Sequence, residues 1–314
     1  MQLSDRIGRR IKLQHLHVLM AVVQAGSMRK AAALLNTSQP VISRSIAELE
    51  QTIGVQLLDR NAQGVEPTEY GRAMLKCGIA AFGELQQGVK DIEHLADPGA
   101  GEVRIGSSRY TGETFVTAVV GRLSRRYPRI VFHLVMSDEA DRLYRDLHER
   151  NVDLLILRQG RRLSDERLGF EILYDPSSVV VAGSRSPWAR RRRIALAELV
   201  NEPWVLPPPE GFMGPTYLDI FRACGLDHPR IAIFANQFGA RFNLVSTGRF
   251  LSIGADSGFG PFKHPGIKVL PIKLQHARAP VGIITLKNRT LSPTARLFID
   301  EAREVAKALG RRKW

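Results

Sequence analysis

The sequence predicts an α/β protein built from a small N-terminal winged helix-turn-helix, one long connecting helix and a larger region of alternating strands and helices. Three observations carry this reading. Apolar residues recur at helical spacing from Leu13 to Leu49, broken by the polar pair Asn36 and Thr37. No proline interrupts the next helical pattern, from Thr68 to Leu95. From Glu102 onward, short β-branched runs alternate with helical stretches, the signature of an α/β region with largely parallel sheets. At 314 residues, 44% apolar and 24% charged, the chain suits about two ordinary domains.

Taken in order, Leu13, Leu16, Leu19, Met20 and Val23 define a first helix that stops at Gly26. Ser27 is a good N-cap for a helix over 28–35, and Ser38 for one running through Val41, Ile42, Ile46 and Leu49, with Pro40 tolerated in its first turn. Two short helices joined by a tight polar turn form a helix-turn-helix. Ala32, Leu35, Val41 and Ile46 are expected to pin them together, leaving Ser38, Gln39, Ser43, Arg44 and Ser45 outward. Extended pieces at 55–58 and 65–67 flank a Gly64 turn and read as a hairpin wing. In the long helix, Tyr70, Met74, Cys77, Ala81, Leu85, Val89, Ile92 and Leu95 form a stripe that needs a partner, most simply a second copy. A joint follows at 97–101. Beyond it, ten strand candidates and six helix candidates suffice for two lobes.

Composition excludes several classes. Apolar runs such as 179–183 and 281–285 are far short of the ~20 residues that span a bilayer. No apolar stretch follows Arg6, Arg9 and Arg10, so no secretory signal is read and the cytoplasm is the expected compartment. Cys77 and Cys224 are the only cysteines, which excludes a disulfide framework or a cysteine zinc site. The net charge of +14 favours a polyanionic partner. Residues 1–70 carry only +2 of it and the remainder +12, so charge does not locate a site.

The most specific signal is ordered. Gly26 and Ser27, then Ala31 and Ala32, are followed by Ser38, Gln39 and Pro40. Ser43, Leu49 and Glu50, Ile53 and Gly54, Leu57, Leu58 and Arg60, then Thr68 and Gly71 complete it. This arrangement resembles the DNA-binding region of the LysR-type transcriptional regulators, with Leu58 and Ile53 as apolar replacements for a usual Phe and Leu. A recognition helix enters the major groove by its N-terminal residues. There Gln39 suits adenine, Arg44 suits guanine, and Ser38 and Ser43 suit phosphates or bases. Pro40 would pack on sugar and thymine methyl, Arg60 beside the wing would suit a phosphate or minor-groove contact, and Arg29 is a further candidate for DNA contact.

The rest of the chain resembles the same family's effector domain at 102–106, at Tyr127 and Pro128, at 151–155, and around Val245, Gly248 and 251–255. The resemblance implies two lobes of periplasmic-binding-protein type joined by two crossing strands near 175–178 and 277–281. It implies a DNA-binding domain at 11–68, a linker helix at 69–96 for dimerisation, and an effector domain at 97–314. Lobe I would comprise 102–175 and 279–314, and lobe II 176–278. It implies double-stranded promoter DNA as partner, a small-molecule effector between the lobes, and a homodimer assembling further into a tetramer. No cofactor, metal or membrane is implied. Strand ends and helix starts place Ser107, Ser108, Ser137, Ser178, Pro208, Glu210, Gly211, Phe212, Gln237 and Phe238 at that cleft, with Arg109 able to pair a carboxylate. A hydroxyl-rich pocket framed by Gly and Pro suits a small polar or carboxylated metabolite.

Other features read as structural. His15 and His17 fall on different helix faces, so they are not a metal pair. Arg190 to Arg193 reads as a solvated loop, and Cys224 as a small buried hydrophobe. The glycines of 254–260 lack the spacing of a dinucleotide fingerprint, and no nucleophile elbow or phosphate loop occurs. The rival reading is a two-lobe binding protein or enzyme with an accessory helical domain. No acid/base, nucleophile or metal constellation supports it.

Overall fold

Gly26 takes a left-handed conformation (φ 64°) that ends helix α1 (Leu13–Ala25) and turns the chain into α2 (Met28–Leu34). These elements come from a computed structural model, which describes residues 10–61, 64–97, 99–158, 165–211, 213–256, 266–274 and 279–310. Ser27 caps α2, its hydroxyl accepting from the Lys30 N–H. Helix α3 (Gln39–Ile53) follows, with Ser38 at its N-cap position but without a capping bond from its side chain. A two-stranded hairpin, β1 (Leu58–Asn61) and β2 (Gly64–Pro67), forms the wing. Helix α4 (Glu69–Ala96), at 28 residues, is about 42 Å long.

The chain divides into two units, Met1–Val89 and Lys90–Trp314. The first is built on Leu19, Val22, Ala31, Ile42, Ile46, Leu49 and Leu57, all fully buried or nearly so. Two expectations are corrected here. Val41 is 46% exposed, and Ile42, one residue on, takes the core position. Successive residues on a helix differ by 100° in direction, so an error of one residue moves a side chain from core to solvent. Ser45 turns its hydroxyl inward, where it finds no partner. Helix α4 is also partly covered within its own unit. Met74 and Leu75 join the core, Gly78 packs against Leu16 and Met20, and the Phe82 ring lies 5.6 Å from that of His17. Leu85, Val89, Ile92 and Leu95 remain exposed.

The second unit holds two five-stranded sheets. Sheet one has the order β4 (Arg129–Met136), β3 (Ala100–Ser107), β5 (Leu154–Arg158), β12 (Val281–Leu286), β6 (Leu168–Tyr174). Sheet two has the order β11 (Ile267–Val269), β7 (Ser178–Gly183), β10 (Leu251–Ala255), β8 (Trp204–Leu206), β9 (Ile231–Phe234). In each, four strands run one way and one is reversed, β12 in the first and β7 in the second. These are the strands that begin just after the chain crosses from one sheet to the other. A crossing chain enters at the interlobe end, so its first strand must run away from it. The sheets are therefore mixed. The second crossing falls partly on residues 277 and 278, outside the described residues.

Period-two alternation divides each core between the two faces of its sheet. In β5, Leu154 and Ile156 face Phe115, Val119 and Phe298 from α6 (Thr117–Arg126), α10 (Pro293–Gly310) and the turn before α6. Leu155 and Leu157 face Leu143 and Leu147 of α7 (Ala140–His148). In sheet two, Val180, Ile253 and Trp204 meet Phe221 of α8 (Gly214–Ala223), while Val181 meets Phe238 and Phe242 of α9 (Phe238–Ser246). The expected helix over 114–127 begins earlier. A first turn, α5 (Arg109–Thr111), is capped by Ser108 and passes through a π-helical turn, Gly112–Val116, into α6. Gly112 lies over Ser107 and Met136, and a Cβ there would meet them at 2.7–2.8 Å.

One ion pair lies inside lobe I. Arg289 donates to Asp153 Oδ1 at 2.6 Å and to the Val152 carbonyl, and Asp153 Oδ2 accepts from the Arg104 N–H at 2.9 Å. Both side chains are under 10% exposed. Removing one partner of such a pair strands the other charge in the interior. Asp153→Ala is expected to destabilise the second unit by about 3–5 kcal/mol, read from urea unfolding of the full chain.

Candidate functional site

Two surfaces carry the candidate residues. The first is the start of α3. Ser38, Gln39, Pro40 and Arg44 are exposed there, Ser43 is half-buried, and Arg29 and Arg60 are exposed on α2 and the wing. Arg29, Arg44 and Arg60 form no ion pair among the described residues. Because Ser38 makes no capping bond, its hydroxyl and the first N–H groups of α3 are available to an anion. Val41, assigned to the core from sequence, adds an apolar contact point beside Pro40.

The wing is held by backbone contacts that explain the spacing of the motif. Glu50 Oε1 accepts from the N–H groups of Leu57 (2.8 Å) and Leu58 (3.2 Å), tying the end of α3 to the start of β1. The Val65 N–H donates to the Gly26 carbonyl, and Gly64 (φ 142°) comes so close that a Cβ would sit 2.8 Å from that oxygen. Thr68 donates to the Gln56 carbonyl and accepts from the Gly71 N–H. A Cβ at Gly71 would collide with the Leu57 carbonyl. Glu50 thus fixes the wing to the end of α3, and Thr68 and Gly71 fix it to the start of α4.

The second surface is a cleft between the lobes, about 660 Å³ with its solvent mouth included. Of the residues expected there, Ser108, Ser137 and Phe238 line it. The Ser108 hydroxyl is engaged with Thr111, donating to its Oγ1 and accepting from its N–H, and Ser137 Oγ accepts from the Glu139 N–H. Ser107 is buried beneath Gly112, and Ser178 is buried at the crossing. Ser107, Ser178, Pro208, Glu210, Gly211 and Gln237 do not line the cleft, where Pro207 and Asn236 stand instead. Gly211 packs against Asn236, and Gln237 is the N-cap position of α9. Phe212 lies outside the described residues.

Sequence reasoning missed the charged residues of the cleft. Arg158, 3% exposed at the end of β5, donates from Nε to the Ala279 carbonyl at 2.9 Å. Its Nη2 donates to the Pro176 carbonyl and Ser178 Oγ, both at 3.2 Å. Arg241, 6% exposed on α9, stacks on the rings of Phe242 (5.1 Å) and Tyr217 (5.7 Å), and its Nε has no hydrogen-bond partner. Burial pulls its guanidinium below its ordinary value, opposed by Tyr217 and Asp138. Asp138 accepts the Arg109 N–H through Oδ1, while Oδ2 accepts no hydrogen bond and has Arg109 Nε at 3.6 Å. Desolvation raises its carboxyl above the usual range, and the Arg109 N–H bond and charge only partly offset this. Tyr110, whose hydroxyl donates to the Ala255 carbonyl, completes an aromatic wall with Tyr217 and Phe238. A single arginine in a buried strand was the available signal for Arg158. Arg241, on a helix of ordinary composition, gave none.

His15 is buried, its Nδ1 accepting the Lys12 N–H, and no group of metal-binding side chains occurs among the described residues. No helix among the described residues is long and apolar enough to cross a membrane.

Residues 13–72 match the family model for the bacterial regulatory helix-turn-helix protein, lysR family, and residues 96–307 match that for the LysR substrate binding domain. The HTH-type transcriptional regulator GbpR of Azospirillum brasilense is 26% identical over 305 residues, covering 96% of this chain and 89% of that protein. The transcriptional dual regulator GltC of Bacillus subtilis is 26% identical over 291 residues, covering 92% and 96%. Two solved structures share the fold. Full-length CbnR in complex with its target DNA has a TM-score of 0.57 at 21% identity, covering 94% of this chain and 100% of that one. A full-length OxyR variant from Pseudomonas aeruginosa has a TM-score of 0.67 at 18% identity, covering 95% of each. With both of its parts matched in order, the chain belongs to the LysR family of transcriptional regulators, in which a helix-turn-helix DNA-binding domain precedes an effector-binding domain.

Proposed function

We propose that this chain reads promoter DNA through the start of α3 and reports a small anionic effector held between its lobes. It acts by binding rather than by turnover, in the cytoplasm, with the DNA-binding domain at 11–68, the linker at 69–96 and the effector domain at 97–314. The observation that carries the DNA reading is the exposed start of α3, where Gln39 presents an amide and Pro40 and Arg44, one turn apart on one face, present an apolar ring and a guanidinium that forms no ion pair among the described residues. These groups suit adenine, the thymine methyl and guanine in turn. Ser38, Ser43, Arg29 and Arg60 suit the phosphates on either side. Arg44→Ala is expected to lose about 1–3 kcal/mol of affinity for the operator and to relax base preference at one position per half-site, measured by gel-shift titration.

The exposed half of α4 supports a homodimer, and the family's architecture a tetramer. Leu85, Val89, Ile92 and Leu95 lie three to four residues apart on a helix whose other half is already packed. Leu85→Lys with Val89→Lys is expected to give monomers with weak DNA binding, and light scattering reads the change.

The buried Arg241 Nε, lacking an acceptor at the cleft, supports an anionic effector. A carboxylate would supply that acceptor, and Tyr110, Tyr217 and Phe238 would cover an apolar body. Asp138 faces the same space, so its charge opposes the anion. A carboxylate found by thermal-shift screening of the full chain should bind more tightly at lower pH and lose affinity as pH rises through the raised Asp138 value. Arg241→Met should weaken that ligand at least tenfold, and Asp138→Asn should remove the pH dependence. Calorimetry decides, and a flat profile in the parent chain would exclude Asp138 from the subsite.

A further inference from the structure

Arg190 to Arg193 reads in sequence as a solvated loop. The fold gives it company from two other segments. Lys268, in β11, donates through Nζ to the Ala189 carbonyl at 2.6 Å, which brings its charge against the loop. Gly248 (φ 89°) seats the stem of Arg185, and Arg249 follows it along the chain. Arg249 lines one groove with Arg191, Trp188 and Glu202. The Arg191 guanidinium lies 5.0 Å from the Trp188 ring and 2.9 Å from Glu198. Arg185, Arg190, Arg192, Arg193 and Arg249 are exposed and form no ion pair among the described residues. Seven cations therefore face two carboxylates, Glu198 and Glu202.

The patch lies at a defined place. β7 starts at the cleft with Ser178, paired with Ala255 at the end of β10, and finishes at Gly183 beside Ile267. The cations gather at that far end, so they cannot serve an effector in the cleft. Like charges this close repel, and among the described residues named around the patch only Glu198 and Glu202 stand against the seven cations. Arginine predominates, and its planar fork suits phosphate oxygens.

We propose that this end of lobe II is a second DNA-binding surface, which takes the phosphate backbone of duplex DNA outside the segments read by α3. The occupant is duplex DNA because the chain already binds that polyanion through its N-terminal domain, and a surface of unpaired arginines without a base-reading helix suits its backbone. Such contacts carry no sequence information but add affinity and salt dependence. They would hold flanking DNA against the effector domain.

The test uses the full-length chain and a random-sequence 60-bp duplex, with affinity read by fluorescence anisotropy from about 50 to 250 mM KCl. Each neutralised phosphate contributes about 0.9 to the slope of log affinity against log salt. The triple variant Arg190→Ser, Arg192→Ser, Arg193→Ser should flatten the slope by about 2–3 and weaken binding at least tenfold near 100 mM. The matching Arg→Lys triple should retain the parent slope, because phosphate contact needs the charge. Arg125→Ser, Arg126→Ser, Arg296→Ser removes the same charge from lobe I and should leave the slope unchanged. Because this surface is separate from α3, Arg44→Ala alone should leave binding that the Ser triple then reduces. A parent slope in the Ser triple overturns the proposal and leaves the arginines to an acidic protein or to solvent. An equal loss in the lobe I control overturns it as a net-charge effect. A loss of the same size when the Ser triple is placed in the Arg44→Ala background shows that the patch acts independently of α3, whose own reading is tested separately on the operator.

Discussion

Both crossings between the lobes meet at one guanidinium. Arg158 ends β5, and its side chain reaches the Pro176 carbonyl and Ser178 hydroxyl of the first crossing and the Ala279 carbonyl of the second. Crossing segments cannot complete a ladder with either sheet, so their carbonyls need other donors. A buried cation supplies several from one fixed plane, and hydrogen bonds to charged groups contribute about 1.5–3 kcal/mol each. The arrangement ties the two crossings together, so any rotation of one lobe against the other would pivot about segments that share one donor. It also explains the reversed strands, since β7 and β12 both set out from that point and the remaining strands run toward it.

The first unit depends on a different constraint, close approach of backbone to backbone. The wing comes near enough to the α1–α2 turn that Gly64 meets the Gly26 carbonyl, and near enough to α4 that Gly71 meets the Leu57 carbonyl. Glycine is required where a Cβ has no space. Glu50 then ties α3 to the wing through two backbone N–H groups. Neither glycine nor Glu50 touches the exposed face of α3. They set the angle at which that face and the wing are presented, which explains why a DNA-binding motif contains residues with no reason to meet DNA.

Much of the fold was legible in the sequence because periodicity and punctuation reported it locally. The strands at 204–206 and 231–235 and the helix at 238–246 follow from apolar runs bounded by turn residues. Phase was less secure. Val41 and Ile42 are both apolar and β-branched, and only packing against Leu19 and its neighbours decides which is buried. The cleft was least legible, because its charged groups lie far apart in the chain. Arg158, Arg241 and Asp138 become neighbours only when β5, α9 and the end of β4 converge. Serines at strand ends were a reasonable guess, but a serine before a helix has a local use. Ser108 shows it, with its hydroxyl engaged by Thr111.

The distribution of unsatisfied atoms in the cleft bears on how an effector could move the lobes. A buried polar group without a partner costs about 1–3 kcal/mol. Arg241 Nε on lobe II and Asp138 Oδ2 on lobe I, the latter with only the Arg109 charge at 3.6 Å, both lack a hydrogen bond, and both residues line the same cleft. A core arranged for stability alone would do better with neutral residues of similar volume. The two groups also stand on different lobes, with Ser108 and Thr111 beside Asp138 and with Tyr217 and Phe238 beside Arg241. A molecule that satisfies Arg241 while touching lobe I gains most when the lobes are close, and a ligand shifts a conformational equilibrium only by such a difference. The motion it selects is then set by Arg158, because both connections between the lobes are anchored to the same side chain.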